Sequence, residues 1–189
     1  VVVIDILRAT STITTILANG ADAVIPVMKQ AEAEVYQKQG LLVGGERGGE
    51  TIPGFDFGNS PFQYKPELVK NKEVVLTTTN GTKCIAMAKD GAAVYLGSFL
   101  SLDALVKKLL EDGRDTVLFC AGWKDRVNLE DSLFAGAVAA LLPEAQMDDA
   151  SQFARYAWEQ TEDLFETLKA SNHFQRLAKK GVVKDIEYC

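Results

Sequence analysis

Carboxylate, guanidinium and hydroxyl side chains recur directly after the short β-branched runs of this sequence. Val1 to Asp5 ends in a carboxylate and is followed, after Ile6-Leu7, by Arg8, Thr10, Ser11 and Thr12. Leu41 to Gly44 leads to Gly45-Glu46-Arg47-Gly48-Gly49, Glu73 to Thr77 leads to Thr78-Thr79-Asn80-Gly81-Thr82, and Thr116 to Cys120 leads to Ala121-Gly122, Arg126 and Asp131. In a parallel sheet, ligands bind beyond the carboxyl ends of the strands, where helix N-termini also converge. Acids, arginines and open backbone amides at one edge suit a metal-bound phosphate ester. Carboxylate oxygens serve Mg²⁺, guanidinium groups serve phosphate, and amides take the remaining oxygens.

Each of these residues also has a plainer reading. Asp5 ends a strand, where an aspartate can simply open the next turn, but Arg8 and a hydroxyl-rich helix start lie beside it. Asn80 is a natural N-cap, yet the threonines before it and Gly81 after it leave a donor-rich corner suited to an anion. Between Gly45 and about Lys65 no helix or strand pattern is convincing, and so long a loop within a compact domain points to function. That loop carries Glu46, Arg47, Asp56, Asn59 and Ser60. Asp56, between Phe55 and Phe57, could equally fix a turn through its own backbone. Cys120 and Arg126 satisfy the Cys-x5-Arg spacing of cysteine phosphatases, but the residues between them lack a glycine-rich phosphate loop. Cys120 therefore reads as a small buried hydrophobe, and His173, the single histidine, as structural.

The elements that must position these groups alternate. Strand patterns at Val1–Asp5, Ala23–Val27, Leu41–Gly44, Glu73–Thr77, Ala92–Leu96 and Thr116–Cys120 are separated by helical patterns, several of them nearly continuous in apolar character, as in strands covered on both faces. Helices are predicted from about Thr10 to Ala18, Gln30 to Gln39, Asn80 to before Gly91, Ser101 to near Gly113, from Asn128 onward, and as one long helix from Ala150 to Leu168. This order predicts an α/β fold, a three-layer α/β/α sandwich on a mostly parallel sheet whose outer strands are free to run antiparallel.

Composition narrows the partners. The 189 residues fit one domain and carry a net charge of −6, which argues against nucleic acid or an anionic membrane as a partner. A small anionic ligand remains compatible, because a metal ion and a few arginines invert the field locally. The three cysteines form no CxxC pair, so a reducing, cytoplasmic setting is expected. No apolar run approaches the roughly 20 residues that cross a bilayer. The strand already under way at Val1 and the ending at Tyr188-Cys189 suggest missing residues at both ends, and the late helices suggest a homodimer.

VVVIDILRATSTI, GGERGG, GFDFGNSP, TTTNGT, CAG with a following Arg and LED, and the closing SNH…DIEYC occur in the same order as in the 2-phosphosulfolactate phosphatase family, which the whole chain resembles. The resemblance implies a Mg²⁺-dependent phosphatase that converts 2-phosphosulfolactate to sulfolactate and phosphate, in the sulfolactate or coenzyme M branch of metabolism. Where the family usually has His-Gly, this chain has His173-Phe174. The implied metal ligands are drawn from Asp5, Glu46, Asp56 and Asp131, the last resting mainly on the likeness, since its position three residues after Asn128 also fits a helix cap. Arg8, Arg47 and Arg126 are expected on the phosphate, carboxylate and sulfonate, with Ser11, Asn59, Ser60, Thr79, Asn80, Gly81 and Thr82 completing the substrate site. Asp5 lacks the second carboxylate of a DxD pair, because Leu7 stands there, so attack by water is expected over an aspartyl-phosphate. The rival functions are a phosphatase for another 2-phosphorylated hydroxy acid and a non-catalytic anion-binding module.

Overall fold

The computed structural model describes residues 1–189. In chain order the elements are β1 (Val2–Ile4), α1 (Ala9–Ala18), β2 (Ala23–Pro26), α2 (Gln30–Lys38), β3 (Leu42–Arg47), β4 (Glu50–Thr51), α3 (Pro66–Val69), β5 (Glu73–Thr77), α4 (Gly81–Ala88), β6 (Tyr95–Gly97), α5 (Leu102–Asp112), β7 (Leu118–Cys120), α6 (Leu129–Ala140), α7 (Asp149–Glu159), α8 (Leu164–Lys169), α9 (Asn172–Lys179) and α10 (Val183–Tyr188). No helix is long and apolar enough to cross a membrane.

The strands divide between two sheets, ordered β6-β1-β7 and β2-β5-β3-β4, and every pairing is parallel except that of β4 with β3. Two helices stitch these sheets together. Helix α1 leaves β1 but lays Ile13 and Ile16 on Val74 and Leu76 of β5. Helix α4 leaves β5 but lays Cys84 and Ala88 on Val3 of β1. Side chains alternate across a strand, so Val2 and Ile4 face the other way, onto Leu105, Val106 and Leu109 of α5 and Leu133, Phe134 and Val138 of α6. Val75 likewise turns toward Val43 and Ala33 of α2. Helices therefore cover both faces of each sheet, giving the open α/β sandwich. Val2, Val3 and Ile4 are fully buried, and each such side chain contributes about 1.5–3 kcal/mol. Three residues thus suffice for a central strand.

Three features depart from the sequence reading. The long helix expected from Ala150 to Leu168 is two helices, α7 and α8. Asp163 accepts the Glu166 N–H at 2.9 Å and caps a new helix there, an Asp-x-x-Glu start signal inside an otherwise continuous periodicity. The segment after Gly45 is not an unstructured loop throughout. It opens with a β3–β4 hairpin that pairs Glu46 with Thr51 and Arg47 with Glu50. Gly48 and Gly49, at φ 64° and 86°, form the two-residue left-handed turn that matches strand twist. Finally, the parallel strands make two sheets where one was expected, and this places two sets of strand ends against each other.

Candidate active site

A cavity of about 240 Å³ opens where the carboxyl ends of β1, β3, β5 and β7 meet α9. Asp5 sits on its floor, 9% exposed. Burial pushes the Asp5 carboxyl up to about 6, aided by Glu46 and Glu130 and opposed by the charge of His173 and the Ala9 N–H. The start of α4 presses on it. A Cβ on Gly81 would stand 2.7 Å from Asp5 Oδ2 and 2.5 Å from the Ala9 side chain, so the close approach requires glycine here. That contact brings the positive end of the α4 dipole to the acid.

Glu46 organises one wall. Its Oε1 accepts from the Thr79 N–H at 2.7 Å and the Thr79 hydroxyl at 2.8 Å, and its Oε2 accepts from the Gly49 N–H at 2.6 Å. The carboxylate ties the hairpin turn to the β5–α4 corner. Beneath Asp5, Asp131 accepts from the Ile6 N–H at 2.9 Å and the Gly122 N–H at 3.0 Å, bracing the ends of β1 and β7. Burial, then the charges of Asp5 and Glu130, hold the Asp131 carboxyl well above the usual range.

Arg8 lines the cavity with its side chain 5% exposed and donates from Nη1 to Asp185 Oδ2 on α10 at 2.5 Å. Asn59 lines it too. Its carbonyl accepts from Thr12 Oγ1 at 3.1 Å, while its buried side-chain Oδ1 has no partner.

The opposite wall is aromatic and cationic. The rings of Trp123 and His173 stack at 5.5 Å with 8° between planes. Lys124 Nζ lies 4.7 Å and Arg176 Cζ 5.5 Å from the Trp123 ring centre. Arg176 follows His173 by three residues on α9, the spacing that puts two side chains on one helix face. Lys124 and Asp125 hold φ of 52° and 55° in a turn where Trp123 and Arg126 exchange backbone hydrogen bonds at 2.9 and 3.1 Å. From α6, Glu130 reaches His173 Nδ1 with Oε1 at 2.5 Å.

Of the residues singled out in the sequence, the structure brings Asp5, Arg8, Glu46, Asn59, Thr79 and Asn80 to this cavity, with Gly81 directly behind Asp5. The others lie elsewhere. Arg47 turns away and donates to the Glu46 carbonyl, Thr77 Oγ1 and the Met28 carbonyl. Asp56 is exposed and accepts the Val43 N–H at 2.9 Å, fixing the local turn. Ser11 is buried against the Ile6 carbonyl and Ser98. Thr82 closes the α4 start by bonding Thr78. Ser60 precedes a 3₁₀ turn, and its carbonyl accepts the Gln63 N–H. Arg126 is exposed at the far side of the Trp123 turn. Asp131 is sealed below the floor at 1% exposure, so the four carboxylates named as metal ligands do not converge as one cluster. Cys120 is outside the cavity, and burial pushes its thiol up to about 12, which leaves no thiolate nucleophile at neutral pH.

Sequence reasoning passed over Trp123, Lys124, Arg176 and Glu130, and it took His173 for a structural residue. The available signals were the single histidine, its i, i+3 relation to Arg176, and the acid pair Glu130-Asp131 at a helix start. Together the cavity offers a buried carboxyl, an unpartnered amide oxygen, three cations and a carboxylate–histidine pair.

A protein of Thermotoga petrophila named as a probable 2-phosphosulfolactate phosphatase is 44% identical over 189 residues, covering 100% of this chain and 82% of the relative. Proteins of the same name from Caldanaerobacter subterraneus subsp. tengcongensis and Clostridium acetobutylicum are 39% and 38% identical, again over 100% of this chain and 82% and 83% of theirs. The profile described as 2-phosphosulpholactate phosphatase matches residues 1–189, and the chain belongs to that family of phosphoric monoester hydrolases.

Proposed function

We propose that this chain hydrolyses 2-phosphosulfolactate to sulfolactate and phosphate in the cavity above Asp5, with Mg²⁺ as cofactor. The observation that carries the reading is the gathering of two buried acids, Asp5 and Glu46, with three cations, Arg8, Lys124 and Arg176, on the walls of one small cavity. A substrate bearing phosphate, carboxylate and sulfonate matches that density of positive charge.

The residues present fit Mg²⁺. This ion is held by one or two carboxylates, with waters and substrate phosphate completing its shell. Asp5 and the unpartnered Asn59 Oδ1 are hard oxygen donors at the cavity and would hold it. Glu46 has three of its acceptor positions committed to Thr79 and Gly49, so it fixes the wall. When bound, the ion supplies Lewis-acid polarisation of the phosphoryl oxygens.

The rest of the chemistry falls to the side chains and amides. Backbone N–H groups at the start of α4, beside Asn80 and Gly81, face the position of the phosphoryl oxygens and carry the dipole of that helix. Arg8, held by Asp185, aligns the phosphoryl group. Lys124 and Arg176 hold the carboxylate and sulfonate against the Trp123 face and exclude water from it. Asp5 would then serve the metal and not attack phosphorus, which leaves water as the nucleophile.

Phosphate release by the purified protein from 2-phosphosulfolactate, 2-phospholactate and 3-phosphoglycerate tests this, with Mg²⁺ and after chelation. Turnover that needs Mg²⁺ and is strongest on the sulfonated ester is the expected result. Equal turnover of all three esters would remove the sulfonate from the account, and undiminished turnover in chelator would remove the metal.

A further inference from the structure

The geometry points to His173 as the residue that hands a proton to the departing alcohol oxygen, with Glu130 as the group that positions it; the inference rests on the reading just given. His173 lines the cavity at 7% exposure. Its Nδ1 is taken by Glu130 Oε1 at 2.5 Å, so the ring presents Nε2 as its other nitrogen. Stacking on Trp123 at 5.5 Å fixes the ring plane. Arg176 Nη1 donates toward Nε2 at 3.4 Å, so without substrate Nε2 is the acceptor, and it carries the transferable proton once an anionic ester draws the guanidinium onto itself.

Glu130 is not an ordinary helix-start acid. It is fully buried, its Oε1 also accepts from Asn128 Nδ2 at 3.0 Å, and its Oε2 has no partner. A clamp that merely fastened α9 to α6 would not need a carboxylate, because burying one with an unmatched oxygen is costly. A buried acid on Nδ1 is, however, the arrangement that orients an imidazole and supports its protonated form during proton transfer.

The reaction needs such a donor. Phosphate monoesters react through a loose transition state in which the bond to the leaving oxygen is largely broken. The leaving group here is a secondary alkoxide, a strong base, so charge builds on that oxygen. The P–O bond to it breaks with the electron pair remaining on oxygen, and the proton of His173 Nε2 moves to that pair. The P–O bond to water forms on the opposite face as the water loses a proton to solvent. Alcohol and phosphate leave, and the imidazole then regains its proton from solvent.

The test varies the leaving group. In the full chain, His173→Asn lowers kcat on 2-phosphosulfolactate by about 100- to 10,000-fold, and by no more than about tenfold on 4-nitrophenyl phosphate, whose leaving group needs no proton. Glu130→Gln follows the same pattern with a smaller loss, and it carries the comparison if the first variant does not fold. Equal losses on both esters, or no loss on either, would overturn the assignment while leaving the phosphatase reading intact. Absence of phosphate release from both esters in the unaltered protein would instead overturn that reading, and this inference with it.

Discussion

Arg8 Nη1 meets Asp185 Oδ2 at 2.5 Å across a separation of 177 residues, with both side chains less than a tenth exposed. Helix α10 therefore holds an arginine of the cavity, and two segments far apart in the sequence meet in the site. Removing one partner of a buried pair leaves the other charge unmatched. Asp185→Ala is accordingly expected to cost about 3–5 kcal/mol of stability, measured by denaturant unfolding. Asp185→Asn, which keeps the shape and one acceptor, is expected to fold but to raise KM as Arg8 loses its fixed position.

Asp5 makes stability depend on pH in a specific direction. Its carboxyl titrates near 3.8 when unfolded but is pushed up to about 6 in the folded protein by burial. The folded state therefore binds its proton more tightly, and this contribution is fully present below 3.8 and lost as pH rises through about 6. Asp5→Asn removes the burial of an ionised acid. In metal-free protein at pH 7 the variant is expected to be about 1–3 kcal/mol more stable than the parent, with the difference closing near pH 4. Thermal unfolding at the two pH values measures it. An inactive variant that is also more stable marks strain kept for function.

The turn that carries Lys124 holds two non-glycine residues at left-handed φ, a conformation costing on the order of 1–3 kcal/mol per residue where it is unfavourable. Lys124→Gly relieves that strain and removes one charge-assisted contact, so Tm is expected to hold or rise while KM increases about tenfold or more. Asp125→Gly relieves strain without touching the cavity, and its KM is expected to stay unchanged. Parallel melting and steady-state measurements separate the two effects.

Much of this site was legible because strand ends in a parallel sheet must share an edge. Asp5, Arg8, Asn80 and the Thr79 corner follow β1 and β5 directly, and they gather as the alternation of elements requires. Arg47 illustrates a signal that was present but unused: neighbours on a strand point to opposite faces, so Glu46 and Arg47 cannot both face one cavity. Asp56 was misplaced for a different reason. The Gly48-Gly49 turn folds β4 back on β3, and the chain beyond it returns to the start of β3, where Asp56 meets Val43. His173 and Arg176 were hidden because α9 reaches the cavity only through tertiary packing, with Phe174 and Leu177 buried in the core below β1. Periodicity places those two apolar residues inside, but it does not say which strand ends they pack beneath.

The most direct measurement of the central claim is kcat/KM for phosphate release from 2-phosphosulfolactate in Mg²⁺, compared among Asp5→Asn, Asp56→Asn and Arg126→Ala. The cavity described here predicts a loss of about 1,000-fold or more for Asp5→Asn and values near the parent for the two exposed positions. An Asp5→Asn protein of near-parental activity, or a comparable collapse at Asp56 or Arg126, would contradict it.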